Sequence, residues 1–318
     1  MDPLTIDRTR ILVLNYNGRD LLAECLPSIA RAAAAAPVPC GVTVVDNDSR
    51  DDSVALVEER WPSVHVVREP NRGLASFNRV LRWLEEPVVL LLNNDVKLAR
   101  DAVAPLLRVF EDHDDALFSA PLCWTFDGRQ YEGMRTRVRS RFGLIQGMSR
   151  VPGFESRIEH VDLTAAAGPV LAVDRERFLA LGGYDPVYFP GRIEDLDLGF
   201  RGWMAGYRGY YEPRSVAYHR GLATFAPALG LDRCASLAVR NSFVFAWKNL
   251  SGTRLLAHLC WVPLRLAYWL IRGRINLARS LFEALARWGE IRRARQAMAV
   301  GQGMWTLRQE AFFHRFQW

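Results

Sequence analysis

Over the first 95 residues, short apolar runs alternate with stretches of helical periodicity. Residues 11–14, 42–45, 64–67 and 87–92 are apolar runs of strand length. Residues 21–36, 52–60 and a segment that follows Gly73 and runs to 84 read as helices. This alternation predicts an α/β fold with a mostly parallel central sheet flanked by helices. Each strand runs directly into a polar turn. Asn15-Tyr16-Asn17-Gly18 follows the first, Asp46-Asn47-Asp48-Ser49 the second, Asn71-Arg72-Gly73 the third and Asn93-Asn94-Asp95 the fourth. Ligands of such sheets sit at the carboxyl ends of the strands, so these clusters mark one candidate binding edge.

The pattern changes after residue 116. Residues 117–122 and 170–173 are further strand candidates. Arg135, Arg137, Arg139 and Arg141 recur at period two, which puts four guanidinium groups on one side of an extended segment. Such a segment is either a solvated edge or a loop that meets an anionic acceptor. Residues 231–318 read as helical throughout. Within 254–272 the polar positions Arg254, His258, Arg265 and Arg272 fall on one narrow stripe, opposite a broad apolar face rich in Trp and Leu. That pattern predicts a helix lying in a bilayer interface, with packing on the body or across a homodimer as the alternatives. Pro263 is a candidate kink.

Hydrophobic residues make up 50% of the 318-residue chain and charged residues 24%, which excludes a disordered protein or a small disulfide scaffold. The net charge of +6 is unevenly spread. Residues 231–318 hold 14 Lys+Arg against 4 Asp+Glu, whereas residues 1–230 carry a small acidic excess. The chain therefore divides into a 1–230 body and a basic 231–318 extension for membrane association or dimerisation. A basic tail with a Trp-rich apolar face suits an anionic membrane surface, not nucleic acid. Five cysteines without a paired motif argue against a zinc site or a disulfide framework. The amino-terminal stretch lacks an apolar signal core, and no run of about 18 apolar residues occurs. The expected location is cytoplasmic, peripheral on the inner face of the plasma membrane.

Two acidic clusters suggest chemistry. A carboxylate at the fourth strand end, Asp95, can ligate Mg²⁺ or Mn²⁺ while diphosphate oxygens complete the shell. Glu194, Asp195 and Asp197 gather three carboxylates in four residues, a costly concentration unless a cation, a proton or a reaction uses it. On a helix, Asp197 and Arg201 can pair at i, i+4, while Glu194 and Asp195 sit at the favourable N-terminus. His219 gains weight only as a companion of a carboxylate metal site.

In order, the strand followed by NYNG, VVDNDS, NRGLASFN, LLNND, GGYDPVYFPGRIEDLDLGFR and AYH resembles the family 2 glycosyltransferases, over roughly residues 9–222. The nearest subgroup is the bacterial rhamnosyltransferase-like enzymes of cell-surface polysaccharide assembly. The resemblance implies the GT-A nucleotide-binding fold and inverting transfer from a nucleotide-diphosphate sugar, such as dTDP-rhamnose or a UDP-sugar, to a glycan or lipid-linked acceptor. It implies that Asn15, Asp46, Asn47, Ser49, Asn71, Gly73, Asn78, Asn93, Asn94 and Asp95 line the nucleotide sugar. It assigns Asp195 as catalytic base with Glu194 beside it, and Asp95 and His219 to a divalent metal, Mg²⁺ or Mn²⁺. The sequence departs from the family's D-x-D motif at Asn93, so the cation would depend on Asp95. Two other functions compete: a catalytically silent nucleotide-sugar-binding or scaffold protein, and a sugar nucleotidyltransferase. The second would want a glycine-rich basic loop after the first strand, and the turn there has one glycine and one Arg.

Overall fold

The structure, a computed structural model, describes residues 4–221, 230–297 and 302–318. The four expected strands form as β1 (Thr9–Asn15), β2 (Cys40–Asp46), β3 (His65–Arg68) and β4 (Val88–Asn93). They pair in parallel in the order β3-β2-β1-β4. Ile11, Leu12 and Val13 of β1 and Val88 through Leu92 of β4 are buried, as expected for strands covered on both faces. Helices α1 (Arg19–Ala34) and α2 (Ser53–Arg60) follow β1 and β2. The third is shorter than its pattern suggested: a 3₁₀ turn at Gly73–Ser76 leads into α3 (Phe77–Leu81). Register decides what meets at the edge. Asn15 lies opposite Asp46, and Leu14 opposite Asn93.

Beyond β4 come β5 (Val96–Leu98), α4 (Val103–Asp112), β6 (Ala116–Thr125), β7 (Tyr131–Gly133), β8 (Arg137–Arg141), β9 (Leu144–Met148), β10 (Asp162–Leu163) and β11 (Val170–Asp174). After them come α5 (Arg175–Ala180), α6 (Glu194–Ala205) and β12 (Arg208–His219). The sheet extends as β10-β12-β6-β11-β4-β1-β2-β3, with β5 on β12 and β7 on β6. Strand β11 runs antiparallel between β4 and β6, so parallel pairing is confined to the β3-β2-β1-β4 half and the β12–β6 pair. This is the GT-A architecture, a mixed sheet flanked by helices with a helical region at its C-terminal side.

Strands β8 and β9 form a separate hairpin. The alternating arginines leading into it neither line a solvated edge nor reach outward as a set. Arg135 and Arg137 both turn onto Asp162, at 2.7 and 2.8 Å, and Arg315 joins them. Arg139 donates to Gln146.

The C-terminal part contains α7 (Leu231–Asn249), α8 (Gly252–Ile271), α9 (Ile275–Leu285), α10 (Trp288–Ala297) and α11 (Gln302–Phe316); the expected helix across 298–301 lies outside the described residues. A second apolar core joins these helices to the body. Val138, Ile145, Tyr188 and Phe200 pack with Phe243, Trp269, Phe312 and Phe313. Helix α8 runs through Pro263 as one element. Apart from exposed Arg272, its polar stripe faces the protein. Arg254 pairs with Glu310, the ring of buried His258 bonds the Gly143 carbonyl, and Arg265 donates to the carbonyls of Arg141 and Phe142. Its apolar face is the exposed one, with Leu256, Leu259, Trp261, Leu264, Tyr268 and Ile271 on the surface. The carbonyls of the β8–β9 turn give His258 and Arg265 their partners and hold that side of the helix inward.

Candidate active site

At the ends of β1 and β2 the geometry is built around Asn15. Its fully buried amide nitrogen donates to Asp46 Oδ1 at 3.1 Å, to Ser49 Oγ at 3.2 Å and to Ser53 Oγ at 2.9 Å. Its carbonyl oxygen accepts from Asn94 Nδ2 at 2.8 Å. Gly18 packs against this pair: a Cβ there would sit 2.0 Å from Asn94 Nδ2 and 2.5 Å from Asn15 Oδ1. Any side chain at residue 18 would pry the two strand ends apart. Asp46 Oδ2 accepts from the Ser49 backbone, and Asn17 and Asp51 tie the two loops together. Asp46 and Ser49 line an open cleft of about 650 Å³ with Asp48, Asp51, Arg68 and Glu69, within the size range of small-molecule sites. The lining is acidic, which suits hydroxyl and base donors better than phosphate.

The third turn is held from within. Asn71 Oδ1 accepts from Gly73 N, and Asn47 Nδ2 donates to Gly73 O. Oδ1 of Asn47 is buried and accepts no hydrogen bond. Asn78 clamps Tyr184 from both sides, donating to its carbonyl at 2.7 Å and accepting from its N–H at 2.9 Å. Asn15, Asn78 and Asn94 thus have amide groups engaged by protein partners.

Beyond β4, Asp95 is buried and meets His219, at the end of β12, with Nε2 3.4 Å from Oδ1. The other imidazole nitrogen, Nδ1, lies 2.8 Å from Glu132 Oε1. These two carboxylates push His219 up to about 9 against the opposing effect of burial. Oδ1 of Asp95 accepts no hydrogen bond although it is buried. With the Nε2 proton displaced, a buried carboxylate oxygen beside an imidazole nitrogen is a donor set that fits a divalent cation. Among the described residues, no three His, Cys, Asp or Glu groups converge as a complete ligand cage.

Asp195 and Glu194 open α6, whose preceding residue, Ile193, adopts a left-handed backbone. Both acids are half-buried. Asp195 accepts from the Leu196 N–H at 2.8 Å, and the Gly168 backbone N–H lies close enough to favour its charged form. The neighbouring Pro169 carbonyl accepts from Asn93 N, so one loop joins Asp195 to the end of β4. Burial raises the Asp195 carboxyl. Glu194 is pushed up to about 8, first by burial and then by the charge of Asp195. The strand-end carboxylate, its imidazole and a basic carboxylate on a helix N-terminus therefore occupy one edge.

The sequence model "Glycosyl transferase family 2" matches residues 10–164. Residues 10–164 are a family 2 glycosyltransferase domain. The chain is similar to the N-acetylglucosaminyl-diphospho-decaprenol L-rhamnosyltransferase of Mycobacterium tuberculosis, at 26% identity over 85% of this chain and 91% of that protein. Among solved structures it resembles mannosyltransferase PcManGT from Pyrobaculum calidifontis in complex with GDP-Man and Mn²⁺, at 20% identity. That likeness has a TM-score of 0.53 over 98% of this chain and 86% of that one. It also resembles S. aureus TarS 1-349 in complex with UDP-GlcNAc, with 14% identity and a TM-score of 0.55 over 96% and 92% of the two chains.

The third acid of the cluster has separate work. Asp197 is fully buried and faces away from the edge. It accepts from Tyr188 Oη, Arg201 Nε, Lys248 Nζ and Asn249 Nδ2, all between 2.7 and 2.9 Å. The two cations hold its carboxyl well below the usual range despite burial. Arg201 continues to the carbonyls of Leu181 and Gly183, and Lys248 also pairs with Asp185 at 2.6 Å. Next along α7, Asn241 Nδ2 donates to the carbonyls of Tyr188, Gly191 and Arg192. Helix α7 of the C-terminal region therefore braces the loop that carries Glu194 and Asp195. The i, i+4 spacing pointed to the Asp197–Arg201 pair. Lys248 had only a faint signal: it is one of two lysines in an arginine-rich chain, and it follows an apolar helix stretch. Glu132 had none.

Proposed function

We propose that the transferase is an inverting enzyme that uses a divalent cation and a nucleotide-diphosphate sugar, dTDP-rhamnose or a UDP-sugar, and glycosylates a hydroxyl of a lipid-linked glycan. The observation that carries this reading is the 168–169 loop, which runs between Asp195 and the end of β4, where Asp95 meets His219 of β12. The mycobacterial relative's decaprenol-linked substrate and the Mn²⁺ in the mannosyltransferase structure support the acceptor and the cation.

In this reading Asp46, Asn47 and Ser49 meet the nucleoside, and Asn15, Asn71, Gly73, Asn78, Asn93 and Asn94 shape the pocket through their neighbours. Asp95 and His219 would hold Mg²⁺ or Mn²⁺. When bound, the cation offsets charge developing on the leaving diphosphate. Asp195 accepts the proton of the acceptor hydroxyl as that oxygen attacks the anomeric carbon opposite the diphosphate. One displacement inverts the configuration. Burial makes Asp195 a stronger base than an exposed aspartate. Glu194, with its pKa near 8, stays largely protonated at neutral pH and adds little competing charge. A panel of nucleotide sugars, with and without Mn²⁺, tests the reading by thermal shift. One donor is expected to raise the melting temperature in a Mn²⁺-dependent way, and a panel in which none does so would overturn the reading.

In this reading a lipid-linked acceptor would hold the reaction at a membrane surface. Among the described residues no helix is long and apolar enough to cross a membrane. The outward face of α8 continues onto exposed Ile275, Phe282 and Leu285 of α9. Exposed Arg272, Arg274 and Arg279 lie on or between the same two helices, while Glu283 and Glu290 are already paired with Arg233 and Arg287. A two-fold homodimer would bring such same-sign rims together. Anionic lipid instead gains about 1 kcal/mol per nearby Arg. Wild-type protein is expected to co-sediment with phosphatidylglycerol vesicles and not with neutral ones, and the Leu256→Glu/Leu264→Glu variant with neither. A wild-type protein that dimerises and ignores both vesicles would favour the homodimer.

A further inference from the structure

Resting on the cation reading above, we infer that Glu132 is a positioning residue for the cation site and acts through His219. Three strand pairings assemble the group. His219 lies opposite Val96 of β5, the residue after Asp95, and opposite Thr125 of β6. Strand β7 turns back on β6, with Tyr131 opposite Trp124, and brings Glu132 to the far side of the imidazole. The connecting turn is held by Asp127, which accepts from Thr125 Oγ1 and Arg129 N. Glu132 is thus delivered from an ordered hairpin. Gly221 closes the group from behind, where a Cβ would lie 2.9 Å from Glu132 Oε1.

The hydrogen-bond chemistry assigns the nitrogens. A carboxylate only accepts, so Nδ1 of His219 donates to Oε1 across 2.8 Å. Nε2, 3.4 Å from Asp95 Oδ1, is then the nitrogen at which a cation would take the place of the proton. Outer carboxylates of this kind fix the orientation of a liganding imidazole and raise its basicity, and their loss costs about 10- to 100-fold in metal affinity. Oε2 of Glu132 is buried without a partner, so the carboxylate has no second anchor among the described residues that explains its burial.

The test uses the whole chain and reads Mn²⁺ binding by calorimetry, with Mn²⁺ alone and with inorganic pyrophosphate. Glu132→Ala is expected to bind Mn²⁺ about 10- to 100-fold more weakly than wild type. Glu132→Gln, whose amide oxygen still accepts from Nδ1, is expected to recover most of that loss. In a His219→Ala background Glu132→Ala should have no further effect, because Glu132 works only through the imidazole. Equal affinity of wild type, Glu132→Gln and Glu132→Ala would overturn the inference. So would an undiminished Glu132→Ala effect in the His219→Ala background. If Glu132→Ala does not fold, Glu132→Met, which keeps the side chain's length and removes the acceptor, takes its place in both backgrounds: a weakening seen only with His219 present supports the role, and no weakening, or one seen equally without His219, overturns it. Asp95→Ala separates the parent reading: if wild type and Asp95→Ala bind Mn²⁺ alike, the cation site itself is lost and Glu132 with it.

Discussion

Asp195→Asn is expected to lower the transfer rate by about 10²- to 10⁴-fold, the range that a positioned general base contributes. The substitution conserves shape. The amide oxygen can still accept from Leu196 N, the hydrogen bond now made by Oδ1. What disappears is the basic site that takes the acceptor proton. Donor affinity, read by thermal shift, should stay near wild type while kcat collapses. Glu194→Gln is the matched comparison. With its pKa near 8, Glu194 is already mostly protonated at neutral pH, so the amide resembles the existing state. Its effect should be small at pH 7 and grow above pH 8, where the wild-type side chain ionises. Full activity in Asp195→Asn together with collapse in Glu194→Gln would reverse the two assignments.

The second large effect concerns stability. Asp197→Ala leaves the cations of Lys248 and Arg201, which are 1% and 7% exposed, without their shared carboxylate. Breaking a buried pair in this way costs about 3–5 kcal/mol, because an uncompensated charge stays inside. Chemical denaturation should show that loss as a lowered midpoint. Lys248→Met should cost less, since Arg201, Tyr188 and Asn249 still satisfy Asp197. The pH dependence has a definite sign. The folded-state pKa of Asp197 is depressed, so its contribution is complete above the unfolded aspartate value of about 3.9 and is lost as pH falls toward the folded value. Wild type and Asp197→Ala should therefore converge in stability only in strong acid. Any of the variant that folds should also lose transfer activity, because Arg201 and Lys248 hold the 181–185 loop.

Local signals carried the nucleotide half of the fold. Apolar runs closed by Asn or Asp gave away β1, β2 and β4 within a few residues, because a strand buried on both faces has to be apolar along its length. The same reasoning failed for β5, β7 and β10. These are two or three residues long, and their pairing partners, not their composition, make them strands. The edge strand β7 matters most, since it brings Glu132 to a histidine 87 residues away. Amphipathic periodicity identified α8 as two-faced but not which face points outward. That depended on the carbonyls of the β8–β9 turn, which capture Arg265 and His258.

By itself the sequence determined the order of strands and helices, the polar clusters at the strand ends and the acids that open α6. These depend on spacing along the chain, where periodicity and charge act between near neighbours. Only the tertiary structure decided that Lys248 reaches Asp197, that α7 braces the loop carrying Asp195, and that Glu132 stands behind His219. Those relations join residues about 50 to 90 positions apart. Burial and strand register bring such residues together, and neither leaves a periodic trace in the chain.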